Sequence, residues 1–130
     1  MRDDGFSLVE LLTVVVVVGV LAAVAVPVYL GQRARAADAA IATDLRTVAQ
    51  SEETLHTDDE TYLPVARTTS PVVDERLVLS PDVSVEVRLN AAGNAYCIVG
   101  SSPDTHRTWV HVSSRGGRQP AGTVGCPATF

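Results

Sequence analysis

The sequence predicts an α+β fold, with one long N-terminal helix followed by a small antiparallel sheet. Three observations predict it. Residues 11–31 run for 21 positions without a charged side chain. Ala37, Ile41, Leu45, Val48 and Leu55 then recur near a 3.6-residue spacing. Further on, Val83, Val85, Val87 and Leu89 alternate with Ser84, Glu86, Arg88 and Asn90, the two-residue period of a half-buried strand.

The uncharged run would be roughly 31 Å long as a helix, which matches a bilayer core of about 30 Å. Val14 to Val18 are five consecutive valines. Such residues form helix weakly in water. In lipid they have no alternative, because backbone groups there must pair internally. Gly19 and Pro27 follow the weak segment, and a proline inside a helix removes one hydrogen bond and kinks the axis. Both are candidate kink positions.

Two plainer readings of this run compete. A secretory signal would be cut after Ala23-Val24-Ala25, but it needs a positive leader and an apolar stretch of about 7–15 residues. Here Arg2 is outweighed by Asp3 and Asp4, and the run is too long. A simple single-span anchor explains the length and leaves Glu10 without a role.

Beyond residue 33 the helix is expected to continue as an amphipathic segment able to lie on a sheet. Asp38, Asp44, Arg46 and Glu52 fall mostly off its apolar stripe. It is expected to end near His56. Thr57-Asp58-Asp59-Glu60-Thr61 is a polar break, and Leu63-Pro64 does not continue a helix. Three adjacent acids invite a calcium reading, but an oxygen cage needs more ligands at defined spacing, so this is read as a solvated loop. Leu63-Pro64-Val65-Ala66 is a poor match to a sortase signal and is set aside.

The last third reads as strands. Residues 83–89 form the first. Asn90-Ala91-Ala92-Gly93-Asn94 is a turn, and residues 95–99 pair back as a hairpin. After a break at Gly100-Ser101-Ser102-Pro103-Asp104, residues 108–112 give a third strand. Val110 and Val112 share one face of it, Trp109 and His111 the other. Residues 77–79 add a fourth short strand.

Glu10 is the residue most in need of explanation. It lies one helical turn into the span, where a carboxylate costs about 2.5–3.5 kcal/mol on insertion scales and is by default functional. Just before it, Gly5–Phe6 joins a short charged leader to the apolar run. Cutting that bond would create an α-amino group on Phe6, with a pKa of roughly 8. A carboxylate four residues into one helix would pair with the amino terminus of a neighbouring helix, and that pairing would drive helices to stack in register.

Gly5-Phe6-Ser7-Leu8-Val9-Glu10-Leu11-Leu12 resembles the cleavage and methylation signal of type IV pilins and the related pseudopilins. The resemblance covers the first 30 or so residues; the remainder matches in layout. It implies cleavage after Gly5 by a prepilin peptidase, N-methylation of Phe6, and Glu10 as the assembly carboxylate. Pro27 falls where many pilin helices carry a proline. In family terms the segment between Gly19 and Pro27 either keeps a tolerated kink or unwinds as subunits leave the bilayer.

The implied organisation is a leader of residues 1–5, a transmembrane and polymerisation helix of 6–32, and an extracytoplasmic head of 33–130. The head holds a helix over 33–56, strands within about 77–112, and a C-terminal loop. It is large enough for one small core. Arg33 and Arg35 outnumber Arg2, so the positive-inside rule alone would put the C-terminus in the cytoplasm. The resemblance implies the reverse, and orientation is taken from it.

Composition agrees with a small extracytoplasmic protein: 130 residues, no lysine and a net charge of −5. Cys97 and Cys126 are the only cysteines. An even count in such a domain suggests a disulfide rather than two free thiols. It would contribute roughly 3–4 kcal/mol in the chain-entropy model and pin the tail 113–130, which resembles the disulfide-bounded C-terminal region of many pilins.

No catalytic constellation is found, and no cofactor or metal is expected. His56, His106 and His111 are scattered, and His106 and His111 with Cys97 match no zinc pattern. After Asp104 there is no acid, while Arg107, Arg115 and Arg118 are present. These are candidate weak contacts to nucleic acid, with an ordinary solvated loop favoured over that reading.

The chain is therefore expected to be a structural subunit of a type IV pilus-like fibre and not an enzyme. Its expected partners are other pilin subunits, prepilin peptidase, an inner-membrane assembly platform and, before assembly, membrane lipid. The alternatives are a pseudopilin of a type II secretion or competence apparatus, and an anchored surface domain that never polymerises. The expected location is the cytoplasmic membrane with an outer C-terminus, then a surface fibre.

Overall fold

The computed structural model describes residues 6–68, 72–74 and 77–130. The leader 1–5, Gly5 included, lies outside the described residues. The fold is α+β, with one helix α1 (Leu8–Asp59, 52 residues) and seven strands among the described residues. Internal contacts divide the chain into two units, Met1–Arg33 and Ala34–Phe130.

In the first unit, α1 is helical through both Gly19 and Pro27. Pro27 has no N–H to give the Ala23 carbonyl. The apolar side chains are exposed on every side of the helix. Val14, Val16, Val17 and Val18 are each 57% exposed, and Leu8 reaches 79%. By length and composition this helix is able to cross a membrane.

In the second unit, α1 buries one stripe: Ile41, Asp44, Leu45, Val48, Ala49 and Glu52. It ends at Asp59, one turn later than expected. The main sheet has five antiparallel strands in the order β1-β4-β5-β6-β7. These are β1 (Val65–Thr68), β4 (Ser84–Leu89), β5 (Tyr96–Ser101), β6 (Thr108–Val112) and β7 (Gly117–Arg118). The strand expected over 77–79 is instead β3 (Leu77–Val78), which pairs with β2 (Val72–Asp74) in a separate two-stranded sheet. Gly100 and Ser101, expected in a break, pair as strand with Trp109 and Thr108.

Alternation in β4, β5 and β6 gives the sheet two buried faces. On the helix side, Val85, Val87, Tyr96 and Ile98 join Ile41, Leu45 and Val48 in one core, with Trp109 packed against it. On the other side, Cys97, Val99, Val110 and Val112 form a second cluster, covered by Cys126 and Phe130 of the tail. The Cys97–Cys126 disulfide, with Cα atoms 5.9 Å apart, fixes that tail to β5. Asn90 Nδ2 and Arg115 Nη2 donate to the carbonyls of Phe130 and Thr129 at 3.1 and 2.7 Å.

Asp44 and Glu52 correct the helical-wheel reading, since both are buried. The reason is where the chain returns over the helix. Asp44 accepts the Ser80 amide at 2.8 Å and the Ser80 hydroxyl at 3.0 Å. Glu52 accepts the Leu63 amide at 2.8 Å. Neither amide is in a strand, and a carboxylate supplies a charge-assisted partner.

The helix crosses β5 at Gly100. A Cβ there would lie 2.7 Å from Ile41 Cγ2 and closer still to Leu45 Cδ1. Gly100→Ala should therefore destabilise the head by about 1–3 kcal/mol through overpacking, seen as a fall in Tm of several degrees by circular dichroism. Gly125→Ala, where a Cβ meets nothing within 4 Å, should leave Tm unchanged. Equal Tm values for the two variants would contradict the close approach.

Candidate assembly site

The N-terminal turn is built around Glu10. Ser7 immediately precedes α1, and Glu10 is its third residue. The Ser7 amide donates to Glu10 Oε2 at 3.0 Å. Ser-x-x-Glu ahead of an apolar run is a capping-box signature, a signal that the residues themselves carry. Glu10 thus satisfies one of the orphan amides of its own helix start. A carboxylate has room for further donors, so the cap does not exhaust it. Phe6, next to Ser7, is 84% exposed.

The electrostatics of this turn are one-sided. The N-terminal end of a helix already carries partial positive charge, and an α-amine at Phe6 would add to it. Glu10 is the sole carboxylate in α1 before Asp38. It therefore provides the only negative charge on that length of helix.

The other sequence candidates are dispersed. Cys97 is held in the disulfide, which removes it as a thiolate ligand beside His106 and His111. Arg107 lies 3.6 Å from Asp38, whose carboxylate also accepts the Trp109 indole N–H at 3.1 Å and the Thr105 hydroxyl at 3.0 Å. Arg115 donates to Thr129. Arg118 stacks over Trp109 with its guanidinium carbon 4.2 Å from the ring centre. All three arginines make contacts within the head.

His111 is half-buried and lies parallel to Tyr96, with ring centres 6.0 Å apart. Burial lowers the His111 pKa below its ordinary 6.5, and the nearby Glu53 carboxylate opposes that shift. Burial also raises the Tyr96 pKa, helped by its hydrogen bond to Glu53. Glu86 sits in an ion-paired row with Arg67 and Arg88. The Arg88 hydrogen bond is the main cause of its lowered pKa, which burial opposes.

Two comparisons bear on this geometry. A family model described as the prokaryotic N-terminal methylation motif matches residues 1–26. The chain is also 28% identical over 95 residues to the type IV wide pilus major component PilA4 of Thermus thermophilus, an alignment covering 73% of this chain and 70% of that one. The chain thus carries a type IV prepilin signal and is weakly homologous to a type IV pilin.

The His111 shift has a definite sign. A folded-state pKa below the unfolded one means that the unfolded chain binds more protons near pH 6. Its contribution to stability is present above about pH 6.5 and is lost as pH falls through the folded pKa. The Tm should drop between pH 7.5 and 5.5, and His111→Gln should flatten that drop. A variant with the same pH slope as the native chain would assign the loss to another group.

Proposed function

We propose that this chain, bearing a prepilin signal and homologous to a pilus component, is a structural subunit of a type IV pilus-like fibre. The observation that carries the reading is a helix apolar on every face with one carboxylate in its first turn. Such a surface needs lipid or other helices around it. A passive anchor would have no use for Glu10 beyond a cap that a neutral side chain also supplies.

The proposed sequence of events follows from this chemistry. The precursor sits in the cytoplasmic membrane with its head outside. Prepilin peptidase cuts after Gly5, and the Phe6 amine is methylated. The new cation stands at the positive end of a helix dipole in a poorly solvated setting. Glu10 of a neighbouring subunit neutralises it, and the apolar helices exchange lipid for one another on the assembly platform. Pseudopilins of secretion systems would use the same chemistry in a shorter fibre. Similarity to a wide-pilus component over 73% of this chain favours the pilus.

Two substitutions separate charge from capping. Glu10→Gln keeps an acceptor for the Ser7 amide but has no charge. Glu10→Val has neither. Both should insert and be cleaved, because the scissile bond is untouched. Both should accumulate as mature chain in the membrane, with sheared fibres reduced about a hundredfold, since an unpaired charge out of water costs several kcal/mol. Quantitative blotting of membrane and fibre fractions measures this. Native-level fibres from Glu10→Gln as sole copy would show that Glu10 acts as a cap alone.

A further inference from the structure

The head contains a groove of about 780 Å³ between α1 and the β6–β7 end of the sheet. Its helix wall runs from Ala42 to Thr54, roughly 18 Å along the axis. Arg46, Gln50 and Glu53 line that wall, and His111, Gly117 and Arg118 line the other. Gly117 has φ +87°, and a Cβ there would come within 3.1 Å of the His111 ring. A side chain at this point would be strained and would crowd the His111 ring.

The groove's charges are unbalanced. Glu53, the only acid among its described lining residues, already accepts the Tyr96 hydroxyl at 2.9 Å. Among the described residues, neither Arg46 nor Arg118 has a carboxylate partner within 4.0 Å. On a protein of net charge −5, two arginines on opposite walls of one concavity select an acidic occupant.

The same head presents an acidic tip of suitable shape. At the end of α1, Asp59, Glu60 and Thr61 are all exposed. Glu60 adopts φ +56°, and its amide closes the helix on the His56 carbonyl at 3.0 Å. The chain then turns inward to buried Tyr62. This tip does not reach Arg46 of its own helix, because 13 residues of rise separate Arg46 from Asp59 by about 20 Å. Between two copies that separation imposes no limit.

We infer that the groove is a contact between subunits, receiving the Asp59–Glu60 helix end of a second copy between Arg46 and Arg118. The inference rests on the fibre reading above and names a head-to-head contact within it. Every copy carries both halves, so the contact is heterologous and propagates along a polymer.

Charge exchange in the full-length chain, expressed as sole copy, tests it. Arg46→Glu should reduce sheared fibres about tenfold, as should Asp59→Arg with Glu60→Arg, because each sets like charges face to face. Combining all three changes with Arg118→Glu, so that both walls reverse sign with the tip, should restore fibres to near the native level. In a separate variant, Arg46→Cys with Asp59→Cys, mild oxidation of fibres should give a ladder of cross-linked multimers. Native-level fibres from Arg46→Glu, no recovery in the combined variant, or no ladder from assembled fibres would each overturn the contact and leave the fibre reading intact. Absence of fibres from the native chain would overturn both.

Discussion

A single helix that must satisfy two surroundings is the constraint on which the rest of this structure depends. Before residue 34, α1 exposes valine and leucine on all sides. From Ile41 to Glu52 it buries one stripe against a sheet. In the first stretch no described residue of its own unit covers these side chains, although burying each would be worth about 1.5–3 kcal/mol. By length and composition it is able to cross a membrane. The second stretch draws its stability from tertiary packing, as most protein helices do.

The head is organised around that stripe. Gly100 lets β5 approach Ile41 and Leu45 without a side chain between them. Asp44 and Glu52 stand in the same stripe and take up the amides of Ser80 and Leu63, where loops return over the helix. Asp38 gathers Thr105, Trp109 and Arg107 from the β5–β6 connection and β6. On the far face, the disulfide and Phe130 cover Cys97, Val99, Val110 and Val112. A small domain with a two-sided sheet needs both covers, since either face alone would be an exposed apolar patch.

Much of this was legible from residues alone, for identifiable reasons. The uncharged run and the strict alternation in β4 are period signals that tertiary context does not override. The opposite faces of Trp109 and Val110 followed from the same alternation. What stayed hidden depended on distant partners. Asp44 and Glu52 look like solvent residues on a wheel, and only the returning loops make them core. Gly100 looks like a breaker, and only the helix crossing makes it a strand residue. β1 and β7 are short edge strands whose pairing carries little local signal. At the site, the spacing of Phe6 and Glu10 is legible in the residues, and so is the Ser-x-x-Glu pattern of the capping contact, whereas the geometry of that contact needs the folded helix start.

Glu10 joins the two scales of the account. Its bond to Ser7 starts the helix, and its charge is proposed to answer the amine that processing creates on Phe6. The second role requires that the functional chain begin at Phe6. Mass spectrometry of the N-terminal peptide from sheared surface fibres addresses this most directly. The account predicts a chain starting at Phe6 and carrying one methyl group on its amine. Fibres lacking the chain, or a chain in them that begins at Met1 or just after Ala25, would contradict it.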